Sequence, residues 1–388
     1  MGSTGAADLC LLYAHMNIVY LANTRIPTEK AHGIEIMKLC EALAHHAKIR
    51  LIVPRRFNHI VGDPYQYHDV ERGFSIVRLP VIDTVSLPLV GVLGFWFESI
   101  TFAFSLFFFI LFRTDKETVF LSHDNLPLFV ATLIRARTYY DVHDFPVRGM
   151  FFYHLLFKRL AGVITTNTWK KDQLLRIFHM PEKKILVFPN GIDPALLDDT
   201  MTREEARSIL VLPLQQKIIV YTGQLFSWKG VDTLCAAAQD IQGDVYIVGG
   251  LAHDVMQYKQ KFFAPNLHFV GQRPHREMSL WQKAASVLVL PNTAKEKISK
   301  YYTSPMKLFE YMASGTPIVA SDLPSIKYIA QDSIWYVMPD NAELLGSTIQ
   351  RVETEDASSK GMIEKAKKIV RVFTWKNRAK QLIEFFVN

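Results

Sequence analysis

One stretch of the chain decides its fold: YYTSPMKLFEYMASGTPIVASD, residues 301–322. Ser304 is a good N-cap, Pro305 suits the first helical position, and Gly315 favours the end of a helix. These residues predict a helix of about three turns. The β-branched run that follows Gly315 predicts that this helix leads directly into a strand.

Lys307 and Glu310 lie three residues apart in the predicted helix, so their side chains point the same way. The free N–H groups at the start of a helix favour an anion, and Lys307 adds a positive charge there. A cation for a diphosphate and a carboxylate for ribose hydroxyls suit a nucleotide. The alternative is an ordinary amphipathic helix in which Lys307 and Glu310 form a solvated ion pair.

Residues 304–322 closely resemble the nucleotide-sugar helix of the family 4 glycosyltransferases (GT4), retaining enzymes of GT-B fold, in their bacterial-type SPMKLFEYMASG subgroup. In that family two glutamates separated by seven residues hold the donor, the second on the ribose and the first near the sugar. The resemblance places the second at Glu310 and the first at Tyr302, where this sequence departs from the pattern. It implies a donor site that includes Tyr302, Ser304, Pro305, Met306, Lys307, Leu308 and Glu310.

The composition describes a packed globular protein large enough for two domains. The chain has 388 residues, 49% of them hydrophobic, with a mean hydropathy of +0.09. Its three cysteines, Cys10, Cys40 and Cys235, are too far apart for a disulfide framework or a zinc site and fit a reducing compartment. The first eight residues lack a basic region, so we expect no secretion signal. The net charge of +7 is concentrated in the first half, and because no nucleic-acid motif accompanies it, we expect anionic lipid head groups as the partner.

Strand-like and helical patterns alternate along both halves, which predicts an α/β protein with parallel, doubly wound sheets. The runs FLSHD, YYDVHDFP and VFPNGID also resemble the family, so the resemblance covers nearly the whole chain. It implies the GT-B architecture, two Rossmann-like domains facing each other across a cleft. The expected parts are an acceptor and membrane-side domain (1–195), a nucleotide-sugar domain (196–374) and a closing helix (375–388) that returns to the first domain.

The apolar segment FWFESITFAFSLFFFILF runs from Phe95 to Phe112. Its length raises the question of a transmembrane helix, and its hydropathy leaves insertion near balance. The strands predicted before and after it belong to one sheet, which a single crossing would separate. Two alternatives remain, a buried core helix or a helix lying in a membrane interface with Arg113 and Lys116 at the head groups.

Further candidate residues follow predicted strands, where ligands bind in doubly wound sheets. In YTGQLFSWKG, Gly223 lets a ligand approach the backbone and Lys229 can reach a diphosphate, unless it is simply solvated at a turn. By resemblance, Gln224 stands where the family usually has a base. Gly249 ends a strand and fits a loop near the nucleotide base.

His143 is the best catalytic candidate, together with Lys229 and Glu310. In the family the corresponding histidine lies against the transferred sugar, and a buried structural histidine is the alternative. His123, Asp124, Asp144 and Gly33 are candidates for the acceptor side, although His123, Asp124 and Asp144 could equally cap or precede helices.

The sequence has no metal-ligand spacing, no Asp-x-Asp motif, no phosphate loop and no paired hydrolase carboxylates, so we expect neither a metal nor a cofactor. We predict a retaining, metal-independent transferase that moves a sugar from a nucleotide donor, UDP-linked by default, to a lipid-linked or other membrane-borne acceptor in polysaccharide or glycolipid biosynthesis. We expect it to be peripheral on the cytoplasmic face of a membrane. Two alternatives are an inactive nucleotide-sugar-binding subunit, suggested by Tyr302 and Gln224, and another GT-B enzyme such as an epimerase.

Overall fold

The computed structural model describes residues 16–85, 91–146, 148–197, 200–354 and 356–387. They divide into two compact units, Met1–Phe188 with Trp375–Asn388, and Pro189–Thr374, here called the first and second unit. The division falls at Phe188, earlier than the predicted boundary after residue 195. The expectations for residues 1–8 and for Cys10 lie outside the described residues.

The first unit is built on a seven-stranded parallel sheet in the order β3-β2-β1-β4-β5-β6-β7. Its strands are β1 (Asn17–Leu21), β2 (Lys48–Pro54), β3 (Ser75–Leu79), β4 (Val119–Ser122), β5 (Thr138–Val142), β6 (Gly162–Thr165) and β7 (Ile185–Val187). Its helices are α1 (Ala31–Ala44), α2 (Pro64–His68), α3 (Gly91–Arg113), α4 (Asn125–Ile134), α5 (Met150–Arg159), α6 (Thr168–Phe178) and, from the end of the chain, α15 (Trp375–Val387).

The second unit repeats the plan with a six-stranded parallel sheet in the order β10-β9-β8-β11-β12-β13. Its strands are β8 (Ile218–Thr222), β9 (Asp244–Val248), β10 (Leu267–Gly271), β11 (Val287–Leu290), β12 (Ile318–Ser321) and β13 (Trp335–Val337). Its helices are α7 (Arg203–Ile209), α8 (Val231–Ala237), α9 (Ala252–Lys261), α10 (Met278–Ala284), α11 (Met306–Ser314), α12 (Pro324–Ala330), α13 (Ala342–Thr354) and α14 (Asp356–Val370).

The strand order places a reversal point in each sheet, between β1 and β4 and between β8 and β11. Ligands of such sheets bind beyond the carboxyl ends of the strands at this point. The central strands β1, β4, β8 and β11 are almost wholly buried runs of apolar residues, as expected for parallel strands covered on both faces. The candidate residues that follow these strands are therefore held on rigid supports.

The apolar segment that ends at Phe112 forms most of α3. The helix is long and apolar enough to cross a membrane by length and composition alone. One side nevertheless belongs to the core, where Phe102, Leu106 and Ile110 are fully buried against the sheet. The flanking strands β3 and β4 lie in that same sheet. The opposite side of α3 is exposed and apolar. The helix therefore has one side buried in the core, as the first alternative expects, and one apolar side open to the surroundings, as the second requires.

The predicted start of α11 is wrong by one residue. The helix begins at Met306, with Pro305 at the N-cap position and no side-chain cap. Ser304 therefore does not cap it, and its hydroxyl accepts a hydrogen bond from the Asn190 N–H at 3.4 Å instead. The helix ends at Gly315, whose φ of 78° is left-handed, as predicted.

Candidate functional site

In the second unit, the amino group of Lys307 lies against the end of β8. Its Nζ is 3.7 Å from the centroid of the Tyr221 ring. A Cβ placed on Gly223 would lie 2.6 Å from the same nitrogen, so the lysine occupies the space that a side chain there would need. The Lys307 Nζ is buried and makes no hydrogen bond to any described residue. The alternative of a solvated Lys307–Glu310 ion pair is therefore wrong.

Lys229 brings a second amino group close to Lys307. It ends a short 3-10 turn, Ser227–Lys229, and its Nζ lies 3.6 Å from the centroid of the Trp228 ring. Burial lowers the pKa of Lys229 to about 7. Burial, and then the positive charge of Lys229, lower the pKa of Lys307 well below its ordinary value, and Glu310 offsets only part of this. Two neighbouring amines, of which Lys307 makes no hydrogen bond to any described residue, form a site suited to an anion with two negative charges.

Two glycines let the ends of β8 and β9 approach each other. Gly223 has a φ of 127° and Gly249 a φ of 124°, values that other residues rarely adopt. A Cβ on Gly249 would lie 2.2 Å from the Gly223 carbonyl oxygen. The Gly223 N–H donates to the Val248 carbonyl at 2.8 Å, which fixes the turn. Beside Lys307 the surface is therefore formed by main-chain atoms of Gly223 and Gly249, without side chains.

Glu310 is oriented by neighbours that the sequence did not single out. Its Oε2 accepts a hydrogen bond of 2.8 Å from Gln282 Nε2, and its Oε1 lies 4.0 Å from His275 Nε2. Gln282 is buried, and its main-chain carbonyl accepts a hydrogen bond of 3.0 Å from the Thr316 hydroxyl. One turn of α11 thus presents the Glu310 carboxylate in a fixed rotamer.

The remaining predicted donor residues lie on the same elements. Gln224 follows Gly223, and its main-chain carbonyl accepts a hydrogen bond of 2.8 Å from the Tyr221 hydroxyl. Tyr302 ends a π-helical turn, Ile298–Tyr302, that the sequence analysis missed and that is frequent at functional sites. Pro305 and Leu308 are buried, and Ser304 and Met306 are partly buried.

In the first unit, His143 follows β5 and is held by two carboxylates. Its Nε2 lies 3.0 Å from Glu35 Oε1 and 3.4 Å from Asp141 Oδ2. Burial alone would lower the pKa of His143, but Glu35 and Asp141 outweigh burial and raise it. With Nε2 turned to the carboxylates, Nδ1 is the nitrogen that can donate a proton to a ligand. Glu35, two residues after Gly33, is a member of the site that the sequence analysis missed.

A buried ion pair holds Asp141, one of the two carboxylates that contact His143. Arg378 of α15 donates to both oxygens of Asp141, at 2.9 and 2.7 Å, and both side chains are fully buried. Burial would raise the pKa of the Asp141 carboxyl, but Arg378 and His143 hold it well below its usual range. Lys170, whose pKa burial lowers to about 7, donates to the carbonyls of Val142 and His143. The histidine is therefore fixed by main chain and side chain.

Two acceptor-side candidates cluster near His143, at the ends of β1 and β4. His123 and His143 have ring centroids 6.0 Å apart, and His123 Nε2 lies 3.6 Å from Asp124 Oδ2. Asp124 occupies the N-cap position of α4 without capping it, because its carboxylate accepts from the Asn23 N–H at 2.6 Å. The capping alternative for Asp124 is thus wrong.

The other two acceptor-side candidates differ in exposure. Asp144 is exposed. Gly33 lies in the first turn of α1, where a Cβ would come within 2.1 Å of the Thr28 methyl group. Gly33 therefore has a packing role within the first unit.

Within the described residues, no group of three or more His, Cys, Asp or Glu side chains is placed to hold a metal ion. Metal independence stays a prediction. His143 belongs to the first unit, whereas Lys229, Lys307 and Glu310 belong to the second. Each half of the predicted site is therefore assembled within its own unit.

Residues 202–369 match the family described as "Glycosyl transferases group 1". They form a glycosyl transferases group 1 domain. This group 1 domain lies within the second unit and contains Gly223, Lys229, Lys307 and Glu310. The predicted family resemblance is confirmed for this domain, and the bacterial-type subgroup stays a prediction.

A relative of this chain is an uncharacterised glycosyltransferase of Methanocaldococcus jannaschii. It is 27% identical over 239 residues, which are 58% of this chain and 59% of that one. The chain spans between 41% and 59% of the lengths of the first three curated relatives that it matches.

Solved structures resemble nearly the whole chain. Sucrose-phosphate synthase from Thermosynechococcus elongatus has a TM-score of 0.78 at 19% identity, over 96% of this chain and 98% of that one. Anabaena HepE in complex with UDP and glucose has a TM-score of 0.70 at 15% identity, over 96% and 100%. The chain therefore has the GT-B fold, and the predicted α/β fold class is confirmed.

Proposed function

We propose that this chain is a glycosyltransferase that uses a nucleotide-sugar, UDP-linked by default, as its donor. The observation that carries the proposal is the buried amino group of Lys307, which makes no hydrogen bond to any described residue and lies beside a glycine turn and near the charge of Lys229. A buried polar group without a partner costs about 1–3 kcal/mol, so such an amine is retained for a ligand. The group 1 domain and the UDP complex of a structural neighbour support this choice.

In the proposed reaction the sugar leaves a nucleoside diphosphate and keeps its configuration. Lys229, Lys307 and the amino end of α11 stabilise the charge that develops on the diphosphate. Glu310 accepts hydrogen bonds from the ribose hydroxyls in the orientation that Gln282 sets. His143, whose pKa Glu35 and Asp141 raise, donates in its charged form from Nδ1 to a hydroxyl of the sugar. The leaving phosphate takes the proton of the acceptor, as the family resemblance implies.

The acceptor in this proposal is membrane-borne and lipid-linked, and the protein is peripheral on the cytoplasmic face. Support comes from the outer side of α3, which exposes large apolar side chains along its whole length. They include Leu93, Trp96, Ile100, Phe104, Phe107, Phe108, Leu111 and Phe112. Arg113 and Lys116 follow at its end, where anionic head groups would meet them. The occupant proposed for this face is an anionic bilayer surface.

The alternative of an inactive nucleotide-sugar-binding subunit keeps two observations in its favour. Tyr302 stands where the family carries the first glutamate, and Gln224 where it carries a base. A site without these charges could bind a donor and fail to turn it over. Binding and turnover must therefore be measured separately.

The test measures binding and turnover of UDP-, GDP- and ADP-sugars by the purified chain, with a membrane extract as the acceptor source. Lys307→Met removes the unpartnered amine at nearly constant volume. Lys259→Met, at an exposed lysine of α9, is the matched control. We expect one donor to be turned over, with the activity lost in Lys307→Met and kept in Lys259→Met. Donor binding without turnover under any condition would favour the binding subunit, and no binding of any donor would overturn the proposal.

A further inference from the structure

The side of α3 that faces the protein carries two buried polar residues, Glu98 and Ser99. Glu98 Oε1 accepts a hydrogen bond of 3.0 Å from Arg56 Nε, and Oε2 accepts one from Arg56 Nη2. Burial raises the pKa of Glu98, and Arg56 offsets part of that rise. Because a buried acid in an otherwise apolar helix is costly, its retention points to a specific role.

Asn23 connects these residues to the end of β1. Its Oδ1 accepts from Arg56 Nη2 at 2.7 Å, and its Nδ2 donates to the Ser99 hydroxyl at 2.9 Å. Both ends of its amide are thus used by partners on or beside α3. Its main-chain N–H points elsewhere and donates to Asp124 Oδ2 at 2.6 Å.

Asp124 belongs to the proposed acceptor side. The same Oδ2 lies 3.6 Å from His123 Nε2, and the other nitrogen of His123 lies 3.1 Å from the Tyr20 hydroxyl. The His123 ring in turn meets His143 edge to face. A series of contacts therefore runs from α3 through Arg56 and Asn23 to Asp124, by hydrogen bonds, and on to His123 beside it.

We propose that Glu98 and Ser99 are positioning residues for the acceptor side, and that lipid contact on the outer side of α3 is transmitted through Arg56 and Asn23 to Asp124. The apolar outer face and the polar inner face belong to one rigid helix, so lipid that fixes the helix also fixes Asn23. Coupling of this kind is reciprocal, and a bound acceptor strengthens the attachment to lipid. The inference rests on the membrane-borne acceptor of the proposed function.

The test is hydrogen exchange of the full chain, with and without vesicles of equal parts phosphatidylcholine and phosphatidylglycerol. Peptides spanning residues 22–25 and 122–126 report on Asn23 and Asp124. Ser99→Ala removes one hydrogen bond of the series. Ser105→Ala is its matched control, because Ser105 also lies on α3 but donates to the Pro80 carbonyl, outside the series. Vesicle sedimentation measures attachment in each variant.

We expect vesicles to slow exchange at Asn23 about five-fold or more in the unaltered chain and in Ser105→Ala. Ser99→Ala should sediment with vesicles as before and lose that slowing. A second variant, Glu98→Gln, should behave like Ser99→Ala, and where a membrane-extract acceptor is turned over it should raise the acceptor KM while leaving the donor KM unchanged. Exchange that vesicles leave unaltered, or an equal effect in Ser99→Ala, overturns the inference.

A chain that does not sediment with vesicles also overturns the inference, together with the membrane part of the proposed function. The donor part is decided separately, because the proposed contacts to UDP, which Lys307→Met should weaken, come from Lys229, Lys307 and Glu310, all in the second unit. The failure of the inference and the failure of the transferase proposal are therefore distinguishable.

Discussion

The amino group of Lys307 lies 3.7 Å from the centroid of the Tyr221 ring, buried and without a hydrogen bond to any described residue. Such an arrangement favours a bound anion over the empty protein. We expect Lys307→Met to raise the free energy of unfolding of the ligand-free chain by about 1–3 kcal/mol, because an unpartnered amine is removed from the interior. The same variant should lose the stabilisation that UDP confers. Thermal unfolding with and without UDP measures both effects, and a lower stability of the ligand-free variant would contradict this account.

Donor affinity should depend on pH. Because burial lowers the pKa of Lys229 to about 7 and lowers that of Lys307 well below its ordinary value, both amines hold their protons less tightly in the empty site. The diphosphate favours their charged forms, so binding takes up protons. Affinity for UDP-glucose should rise as the pH falls towards and below 7, by up to about tenfold per pH unit for each proton taken up.

Calorimetry of UDP-glucose binding in buffers of different ionisation enthalpy measures that uptake. Lys229→Arg is the control, because a guanidinium stays charged throughout and should remove the contribution of residue 229. A binding heat that is independent of the buffer would contradict the predicted uptake.

Gly223→Ala should abolish donor binding. Alanine there is strained by the φ of 127°, and its Cβ would need the space that Lys307 Nζ fills. Gly271→Ala is the matched control, since Gly271 also has a positive φ, 77°, but no atom within 4 Å of an added Cβ. Both variants should lose about 1–3 kcal/mol of stability through strain. Only Gly223→Ala should lose UDP-glucose binding, and equal loss in both would assign the effect to strain alone.

Much of the local placement of the candidate donor residues could be predicted from sequence, because it depends on local rules. Strand ends and a helix with recognisable boundary residues carry Gly223, Lys229, Lys307 and Glu310, and the family resemblance supplied their expected role at the donor. Gln282 could not be predicted, since it meets Glu310 from another helix across 28 residues of sequence. The alternation of strands and helices likewise predicted both sheets.

The supports of His143 were missed for the same reason. Glu35 lies on α1, where its sequence context is that of an ordinary acidic residue of an amphipathic helix. Only the folded sheet brings it to 3.0 Å from His143, which follows β5. Ser304 was misassigned because a serine before a proline satisfies the local rule for an N-cap, whereas its hydroxyl is used by the Asn190 N–H. A contact between distant segments overrode the local preference.

Glu35→Gln should lower the pKa of His143, because the nearest carboxylate is removed. The pKa of His143 is raised in the folded protein, so its charged form stabilises the fold. This stabilisation is fully present when the pH is below the pKa of the histidine in the unfolded chain, and it is lost as the pH rises through the higher pKa of the folded protein. In Glu35→Gln that loss should occur at lower pH, and the alkaline limb of kcat/KM should move with it.

Proton NMR of the imidazole and the pH profile of turnover measure both shifts. Glu41→Gln, on the same helix but beside Lys38, should leave them unchanged. A His143 pKa that stays in place in Glu35→Gln would show that Asp141 alone sets it.

Phe104 and Phe108 pack edge to face on the outer side of α3, with ring centroids 4.9 Å apart. Replacing either by serine should weaken binding to anionic vesicles about tenfold, because burying such a ring contributes about 1.5–3 kcal/mol. Phe263→Ser, at an exposed phenylalanine of the second unit, is the control. Sedimentation with vesicles measures the affinity, and unchanged binding in both α3 variants would show that this side does not meet lipid.

Asp141 and Arg378 form their buried pair across 237 residues of sequence, and all of Pro189–Thr374 lies between them. During translation the ribosome therefore makes the complete second unit before it adds the counterion of Asp141. A buried carboxylate without that partner is strongly destabilising. The first unit therefore cannot complete its core until α15 has been made, after the whole second unit. On the ribosome the first unit begins first and is completed last.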